Sequence, residues 1–431
     1  MRLTPRNLLE EAAFWAYTAL WCFLLPLLTL YLAVSPRHRP VLARLRVPVN
    51  AIPRHALWIH ACSVGEVNAA RPLLAALHEQ LPECPLLLTV STRSGQAHAA
   101  ATLPDIPRAW FPLDHPLIVH RFFQAAQPRA LVLIETELWP SVLRAANARA
   151  IPVILANGRL SDRHFDRYRR ISWLVRPMMR AISAAAMQSA RDAERVEALG
   201  LEHDCIEVMG NLKFDGAHFE VAPEIRERVE QTVRPDPERP LIVLGSARPG
   251  DEARAVAAWS ALRAESPYPQ LIIALRHPER IAEAERDCAG HPTRRRSACT
   301  MESPWRGEEI LLVDTLGELL ALYERATVVI IGGSFDANLQ GHNPIEAAAL
   351  GKPVIFGPHM RNFEEAAKVL LAARAAQRVS SSSELSAVLH GLLHDAAQRD
   401  EMGEVGRAAV LAQQGATART ATRIAQTVKN A

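Results

Sequence analysis

The sequence predicts an α/β protein with two domains of parallel strands behind an N-terminal membrane helix. A chain of 431 residues is too long for one ordinary hydrophobic core. Short apolar runs alternate with helix-like stretches in two successive series. A charged, Pro-rich segment at residues 221–240 separates the series, so we expect a domain boundary there.

The composition is that of a globular protein, with 49% hydrophobic and 22% charged residues. The net charge of +3 provides no global field that would collect nucleic acid, and no nucleic-acid partner is expected. The 6 cysteines contain no C-x-x-C pair. We interpret them as reduced thiols in the cytosol, forming neither a disulfide framework nor a zinc site.

The first element is an uncharged stretch from Ala12 to Val34, long enough to cross a ~30 Å hydrocarbon layer as a helix. Pro26 would bend this helix. Two alternatives remain, a partly inserted interfacial helix and a cleaved signal peptide. The apolar stretch exceeds the usual signal-peptide core, and no clear A-x-A site follows it. The prediction is therefore a single-pass anchor.

Basic residues are concentrated after this stretch. Only Arg2 and Arg6 precede it, while the cations that follow are Arg37, Arg39, Arg44, Arg46 and Arg54. The positive-inside rule therefore places the body of the protein in the cytoplasm, at the inner membrane. The same cations could lie on anionic headgroups.

Each predicted domain contains a series of strands. In the first domain the strands are Leu57–His60, Leu86–Val90, Leu131–Ile134, Val153–Ala156, Ala184–Gln188 and Ile206–Met209. In the second domain they are Leu241–Leu244, Leu271–Leu275, Ile310–Val313, Val328–Ile331 and Val354–Phe356. A helix is expected from Asn68 to Leu81, and only helices after Val379.

The densest concentration of function-like residues follows the strand Val328–Ile331. Two glycines end the strand, which predicts a loop where the backbone comes close to another group. Asn343 is then a good N-cap, Pro344 suits the first helical position, and Glu346 lies in the first turn. The N–H groups of this helix would bind a phosphate. A βαβ unit without a ligand is the alternative.

Other chemistry-bearing residues lie where predicted strands end. Glu66 is a first-turn acid of the first helix, and Glu135 and Glu137 follow another strand. A divalent-metal site at the latter pair is not favoured, because no Asp or His cluster accompanies it. Arg276 and His277 follow a strand of the second domain, where a guanidinium can bind phosphate. A basic cluster follows the fifth predicted strand and is either a solvated helix face or a surface for an anionic lipid; it comprises Arg159, Arg163, Arg167, Arg169 and Arg170.

Several motifs together resemble the bacterial lipid A Kdo transferases, which move 3-deoxy-D-manno-octulosonic acid (Kdo) from CMP-Kdo to a lipid A precursor. The motifs are HACSVGEV at 60–67, ETELWP at 135–140, NGRLSDR at 157–163, GNLKFD at 210–215, RHPER at 276–280, DTLGEL at 314–319 and GHNPIEAAALGKPVIFGPH at 341–359. The resemblance covers nearly the whole chain. It implies a GT-B glycosyltransferase with two Rossmann-like domains facing a cleft.

The resemblance also implies roles for individual residues. Glu66 is the general base of an inverting transfer, and Glu135 and Lys213 stabilise the transition state. The residues assigned to CMP are Arg276, His277, Leu316, Gly317, Glu318, Asn343, Pro344, Ile345 and Glu346. No metal and no cofactor are implied. Other possibilities are a different membrane-associated GT-B enzyme that uses a UDP-sugar, and a non-catalytic nucleotide-binding membrane protein.

The expected domain order places the membrane anchor first and the donor domain after the acceptor domain. We expect the anchor at residues 1–36 and the acceptor domain at 37–222. The CMP-sugar domain is expected at 223–395, with helices at 396–431 that pack back across the domain junction. The expected partners are the CMP-Kdo donor, the lipid A precursor and the inner membrane.

Overall fold

The chain divides into two compact units. The computed structural model describes residues 8–35, 39–48, 52–216, 220–262 and 268–430. Unit 1 comprises Met1–Gly216 and Gln413–Ala431, and unit 2 comprises Ala217–Ala412. Arg2, Arg6 and Arg37 lie outside the described residues.

The N-terminal helix α1 runs from Leu8 to Val34, and a 3₁₀ helix over Arg39–Leu45 follows it. Within α1, Phe14–Val34 is long and apolar enough to cross a membrane, and it is the one such helix among the residues that are described. This finding rests on the length and composition of the helix.

Unit 1 contains a seven-stranded sheet in the order β3-β2-β1-β4-β5-β6-β7, with parallel pairing throughout. Its strands are β1 Leu57–His60, β2 Leu86–Val90, β3 Arg108–Trp110, β4 Ala130–Ile134, β5 Val153–Gly158, β6 Ala184–Met187 and β7 Ile206–Val208. Its further helices are α2 Val64–Gln80, α3 Arg93–Thr102, α4 Pro116–Ala126, α5 Pro140–Ala148, α6 Asp162–Arg170, α7 Ser172–Met179, α8 Ala190–Ala198, α9 Leu212–Asp215 and, near the C-terminus, α18 Ala416–Lys429.

Unit 2 repeats this architecture with a parallel sheet in the order β10-β11-β9-β8-β12-β13-β14. Its strands are β8 Leu241–Ala247, β9 Gln270–Leu275, β10 Thr293–Arg295, β11 Ile310–Val313, β12 Val328–Ile331, β13 Val354–Phe356 and β14 Ala376–Arg378. Its helices are α10 Pro223–Thr232, α11 Asp251–Ser260, α12 Ile281–Asp287, α13 Leu319–Arg325, α14 Ile345–Ala349, α15 Glu364–Ala372, α16 Ser382–His394 and α17 Ala396–Ala412.

The central strands are apolar because both faces of each sheet are covered. In unit 1, β1, β2, β4 and β5 are buried along their whole length, between two hydrophobic clusters on opposite sides. Burial on both faces favours continuous Val, Ile and Leu runs. The strand order reverses beside β1 in unit 1 and beside β8 in unit 2, and such switch points are where open α/β sheets bind ligands.

The strands predicted from the sequence are all present, with small shifts at their ends, and the helix expected from Asn68 already begins at Val64. Three strands, β3, β10 and β14, were not predicted from the sequence. Each is the edge strand at one end of its sheet. Each has three residues and is only partly buried. An edge strand this short has no apolar run that a sequence pattern can detect.

The end of the chain is shared between the two units. The expected boundary lay after residue 222, and the division lies after Gly216. Helix α17 belongs to unit 2, whereas α18 belongs to unit 1. The Asp215 carboxylate accepts the N–H groups of Gly415 at 2.7 Å and Thr417 at 2.5 Å. It therefore caps the start of α18 and attaches this last helix to the GNLKFD segment.

Candidate active site

Glu66 lies in the first turn of α2, directly after β1. Its Oε2 accepts the Cys62 backbone N–H at 2.6 Å, and its Oε1 accepts the Ser63 hydroxyl at 3.0 Å. The side chain therefore reaches back over the start of its own helix, as the Glu of a capping box does. Both bonds fix the carboxylate at the carboxyl end of the sheet, and Glu66 is 9% exposed.

The surroundings of Glu66 favour its protonated form. Burial, together with the negative charges of Glu135 and Glu137, raises its pKa to about 8. The hydrogen bonds from Cys62 and Ser63 oppose this shift in pKa only in part. A carboxylate with a pKa near the working pH can take up a proton from a hydroxyl and release it again.

Glu137 is a second perturbed carboxylate at this edge. Burial and the negative charge of Glu135 raise its pKa to about 7, although the Arg44 guanidinium opposes this shift. One ligand atom from each of Cys62, Glu66 and Glu137 lies within 4.8 Å of the others, which is a spacing that could suit a metal ion. Burial, however, raises the pKa of the Cys62 thiol to about 12. The Cys62 thiol is therefore protonated at neutral pH, and binding of a cation at this group would have to release that proton.

Arg44 reaches this group from the 3₁₀ helix that follows α1. Its Nε donates to the Phe111 carbonyl at 3.0 Å, and its guanidinium carbon lies 5.6 Å from the Trp139 ring centroid. Burial lowers its pKa, while Cys62, Asp114 and Glu137 favour its charged form. Arg44 was grouped with the cations that could contact headgroups, but its partly buried side chain faces the carboxylates instead.

Glu135 and Lys213 form an ion pair in unit 1. Lys213 Nζ donates to Glu135 Oε1 at 3.3 Å, and Arg159 Nε lies 3.8 Å from Glu135 Oε2. Glu135 directly follows β4 and has a φ of 61°, an unusual value for a residue with a side chain. Its N–H donates to the Ala156 carbonyl at 2.9 Å. The structure thus brings the predicted residues Glu66, Glu135 and Lys213 to one edge of the sheet.

Two asparagines position Lys213. Asn211 Oδ1 accepts the Lys213 N–H at 3.0 Å, which caps α9. Asn157 Oδ1 accepts the Leu212 N–H at 3.0 Å, and Asn157 is buried. The NGR and GNLKFD motifs, far apart in sequence, are therefore one hydrogen-bonded assembly.

In unit 2, Arg276 and His277 follow β9. The Arg276 N–H donates to the Ala247 carbonyl at 3.1 Å. Arg248 Nη1 donates to His277 Nε2 at 2.6 Å, so the His277 proton is carried on Nδ1, which lies 3.3 Å from Glu279 Oε1. Arg248 was not among the predicted site residues. Its position directly after the predicted strand Leu241–Leu244 and its turn is the signal that could have identified it.

The paired glycines after β12 allow a close approach of neighbouring loops. A Cβ on Gly332 would lie 2.5 Å from the Ser246 carbonyl oxygen. A Cβ on Gly333 would lie 2.9 Å from the His342 ring, and Gly333 has a φ of 67°. The Gly333 N–H donates to Asp251 Oδ2 at 2.6 Å. The backbone of Gly332 and Gly333 therefore lies close to β8, α11 and the GHN segment, and this is the close approach that the two glycines predicted.

His342 sits among cations. Burial, together with the neighbouring Arg276, Arg248 and His277, lowers its pKa to about 4. His342 is therefore neutral at neutral pH. Positive charge from two arginines at the ends of β8 and β9, beside a neutral imidazole, makes this edge suitable for an anion.

Helix α14 begins one residue later than predicted, at Ile345, with Pro344 at its N-cap. Asn343 Oδ1 accepts the Ile345 N–H at 3.0 Å from outside the helix. Burial raises the pKa of Glu346. The hydrogen bond with Asn343 and the positive charge of Arg276 oppose this shift only in part. The helix has only five residues, so its dipole is small.

In the DTLGEL loop, Leu316 and Gly317 are exposed, whereas Glu318 is buried. Leu316 is 72% exposed, and no atom lies within 4 Å of a Cβ built on Gly317. Glu318 is buried, and its Oε1 accepts from Arg228 and from Arg296, both at 3.0 Å. Its Oε2 accepts the Thr315 hydroxyl at 2.6 Å. The Glu318 carboxylate is thus held inside unit 2, which leaves the exposed part of the loop for a ligand.

Comparisons with known structures agree with the fold. UDP-GlcNAc 2-epimerase from Neisseria meningitidis superimposes with a TM-score of 0.59 at 12% identity, covering 87% of this chain and 100% of the epimerase. MurG from Acinetobacter baumannii gives a TM-score of 0.55 at 15% identity, covering 88% and 100%. At such identities the likeness concerns the fold alone, which is the GT-B arrangement of two parallel-sheet domains.

Sequence comparisons identify the family. A family profile described as 3-deoxy-D-manno-octulosonic-acid transferase (kdotransferase) matches residues 37–216. The 3-deoxy-D-manno-octulosonic acid transferase of Bordetella pertussis is 38% identical, over 84% of this chain and 85% of the relative. The protein of the same name from Haemophilus influenzae is 31% identical, over 94% and 96%. The chain belongs to the 3-deoxy-D-manno-octulosonic acid transferase family.

Proposed function

We propose that the protein transfers Kdo from CMP-Kdo to a hydroxyl of a lipid A precursor, in lipopolysaccharide core biosynthesis, with inversion at the anomeric carbon. The observation that supports this most directly is the Glu66 carboxylate, buried and hydrogen-bonded beside the Glu135–Lys213 ion pair. The family relatives named as Kdo transferases support the identity of the sugar.

Glu66 acts as the general base. The acceptor oxygen forms a bond to the anomeric carbon of Kdo while the bond from that carbon to the CMP phosphate breaks. The hydroxyl proton passes to Glu66, and the bonding electrons leave with CMP. A sugar hydroxyl is far too weak an acid to lose its proton alone at neutral pH, so a fixed carboxylate assists the attack.

Lys213 stabilises the charge that develops in this step. The Lys213 side chain is only 15% exposed. This burial strengthens the electrostatic effect of its ammonium relative to that of a solvated lysine. Glu135 holds the ammonium in place, and the Asn157 and Asn211 bonds position the backbone. We assign Lys213 to the donor's carboxylate or to the departing phosphate.

Unit 2 binds the nucleotide. Arg276 and Arg248 attract the CMP phosphate, His277 is oriented by Arg248, and the exposed Leu316-Gly317 turn and the Asn343–Glu346 segment contact the nucleoside. Glu346 accepts from ribose hydroxyls. The reaction written above balances without a metal or a cofactor.

The protein acts at the cytoplasmic face of the inner membrane. Helix α1 provides an apolar surface. The acceptor of the proposed reaction is a lipid that resides in the bilayer. The Arg-rich α6 belongs to the same unit as Glu66.

The test is an assay of the detergent-solubilised full chain with CMP-Kdo and a lipid A precursor. We expect release of CMP together with a mass increase of one or more Kdo units on the lipid. Glu66→Gln serves as the inactive control, and a UDP-sugar replaces CMP-Kdo in a parallel reaction. Transfer from the UDP-sugar would assign the protein to another GT-B activity. Nucleotide binding without any transfer would indicate a non-catalytic protein.

A further inference from the structure

Between Phe14 and Leu32, helix α1 has one face that is covered and one face that is exposed. The side chains that are covered wholly or in part recur every three or four residues: Phe14, Tyr17, Thr18, Trp21, Leu25, Leu28, Thr29 and Leu32. The exposed face carries large apolar side chains: Trp15, Leu20, Phe23, Leu24, Leu27, Leu30, Tyr31 and Val34. At 1.5 Å per residue, the covered face extends for roughly 27 Å.

Named contacts join the covered face to the folded part of unit 1. The Tyr17 hydroxyl donates to Asp114 Oδ2 at 2.7 Å. The Arg144 guanidinium carbon lies 4.1 Å from the Phe14 ring centroid, and Cys22, an exposed residue beside the covered face, has its Sγ 3.7 Å from His115 Nε2. Asp114 is itself fully buried and accepts the N–H groups of Ser141 and Val142 at the start of α5. Helix α1 is therefore docked on unit 1.

These contacts conflict with a helix that crosses the bilayer. The cations after α1 place its C-terminal end in the cytoplasm, so a spanning α1 would carry Phe14 and Tyr17 toward the opposite side. Their partners Arg144 and Asp114, together with α5, would then lie at the depth of the hydrocarbon. Ionisable side chains and a soluble α/β domain are strongly disfavoured there.

We propose that α1 is an in-plane anchor. It stays docked on unit 1 and inserts its exposed apolar face into the cytoplasmic leaflet alone, so that both of its ends are cytoplasmic. This replaces the predicted single-pass span with the partly inserted alternative. The inference rests on the membrane location proposed above, and it holds whichever sugar the enzyme transfers.

The neighbouring surface fits a leaflet rather than a second copy of the chain. Helix α7 packs against α1, and its Trp173 is 51% exposed, as suits a residue at a membrane interface. The preceding helix α6 has no buried residue and exposes four cations near α7, which complement anionic headgroups. These cations are Arg163, Arg167, Arg169 and Arg170.

The first test locates the residues that precede α1. Full-length Thr4→Cys is treated with a membrane-impermeant maleimide in intact spheroplasts and in inside-out vesicles, and mass spectrometry of the N-terminal peptide detects the label. Ser383→Cys, at an exposed position of unit 2, is the cytoplasmic control. We expect both sites to react only in inside-out vesicles. Labelling of Thr4→Cys in spheroplasts, or protection on both sides, would overturn the in-plane anchor.

The second test detects docking inside the membrane. In native membranes a short bismaleimide should join Cys22 to His115→Cys within one chain. The matched control replaces Cys22 by Ser and places the thiol on the exposed face with Phe23→Cys, which is 71% exposed, and it should not cross-link to His115→Cys. Equal cross-linking of both pairs, or of neither, would contradict docking.

Cross-links between isotopically distinct chains would instead assign the apolar face to a second copy. Recovery of the wild-type chain in the soluble fraction would refute the membrane location itself.

Discussion

Lys213 Nζ lies 3.3 Å from Glu135 Oε1, which gives the Glu135 carboxylate a basic partner at the carboxyl edge of the sheet. Arg159 accompanies Glu135 as well, whereas Glu66 has only a backbone N–H and a hydroxyl as hydrogen-bond donors among the contacts described above. Burial therefore dominates at Glu66 and raises its pKa. The site thus combines one carboxylate that holds a lysine in place with another, Glu66, that can exchange a proton.

Replacement of the base should abolish most of the transfer. Glu66→Gln keeps the size of the side chain and can still accept a hydrogen bond, but it cannot take up the hydroxyl proton. We expect the rate of Kdo transfer to fall by at least ~10², with CMP binding unchanged because the nucleotide binds in unit 2. Steady-state kinetics and calorimetry with CMP measure the two quantities.

The matched control is Glu79→Gln, an exposed acid near the other end of α2. It should transfer Kdo at the wild-type rate. Near wild-type transfer by Glu66→Gln would move the search for the base to Glu135 and Glu137, and loss of CMP binding would indicate a role outside the acceptor site.

The rate should rise with pH through the pKa of Glu66. A base acts in its deprotonated form, and the pKa of Glu66 is about 8, so only a minority is active at pH 7. We expect kcat/KM to increase up to about tenfold per pH unit below the midpoint and to level off above it. Glu137→Gln removes a like charge and should move the midpoint to lower pH. A profile that falls between pH 6 and 8 would be incompatible with Glu66 as the base.

Arg276 should contribute to donor affinity. Arg276→Ala removes a charge-assisted hydrogen bond to the CMP phosphate, which is worth about 1.5–3 kcal/mol. This corresponds to a roughly tenfold to over hundredfold higher Kd for CMP by calorimetry. Arg286→Ala, an exposed arginine on α12, should leave the Kd unchanged. Equal affinity of wild type and Arg276→Ala would remove Arg276 from the nucleotide site.

Glu318 should matter more for stability than for binding. Glu318→Gln leaves Arg296, 5% exposed in its side chain, without its carboxylate. Removal of one partner of a buried ion pair costs on the order of 3–5 kcal/mol. At ~2–4 °C per kcal/mol for a unit of this size, the Tm should fall by at least about 6 °C. The exposed Glu308→Gln is the control. A wild-type Tm combined with weak CMP binding would show that the carboxylate contacts the nucleotide.

Deletion of residues 1–36 should release the protein from the membrane. The exposed apolar face of α1 is removed, while Asp114 keeps its bonds to the Ser141 and Val142 N–H groups, so we expect both units to stay folded. Fractionation at physiological salt and circular dichroism measure the two outcomes. Tight membrane association of the truncated chain would show that α6 and α7 provide most of the binding.

The buried centre of each sheet could be predicted from the sequence because strands covered on both faces are continuous apolar runs. The same logic located Glu66, Glu135 and Arg276, since residues that directly follow such strands lie at the carboxyl edge of the sheet. The roles that the family resemblance implies for these residues stay predictions.

Contacts between distant segments could not be predicted. Arg44 follows the anchor in sequence, and only the fold brings its guanidinium to Phe111 and Trp139. Glu318 lies in a loop motif, and its partner Arg296 precedes it by 22 residues. No local pattern encodes either pairing, because the partner of a charged side chain depends on how the strands between the two residues are ordered.

The capping of α18 by Asp215 has a consequence for the synthesis of the protein. In this sequence the two segments of unit 1 flank the whole of unit 2. The GNLKFD segment, which carries Lys213, therefore acquires its contacts to Gly415 and Thr417 only after unit 2 has been translated. A nascent chain that stops within unit 2 lacks these contacts, so unit 1 is completed only after unit 2 has been made.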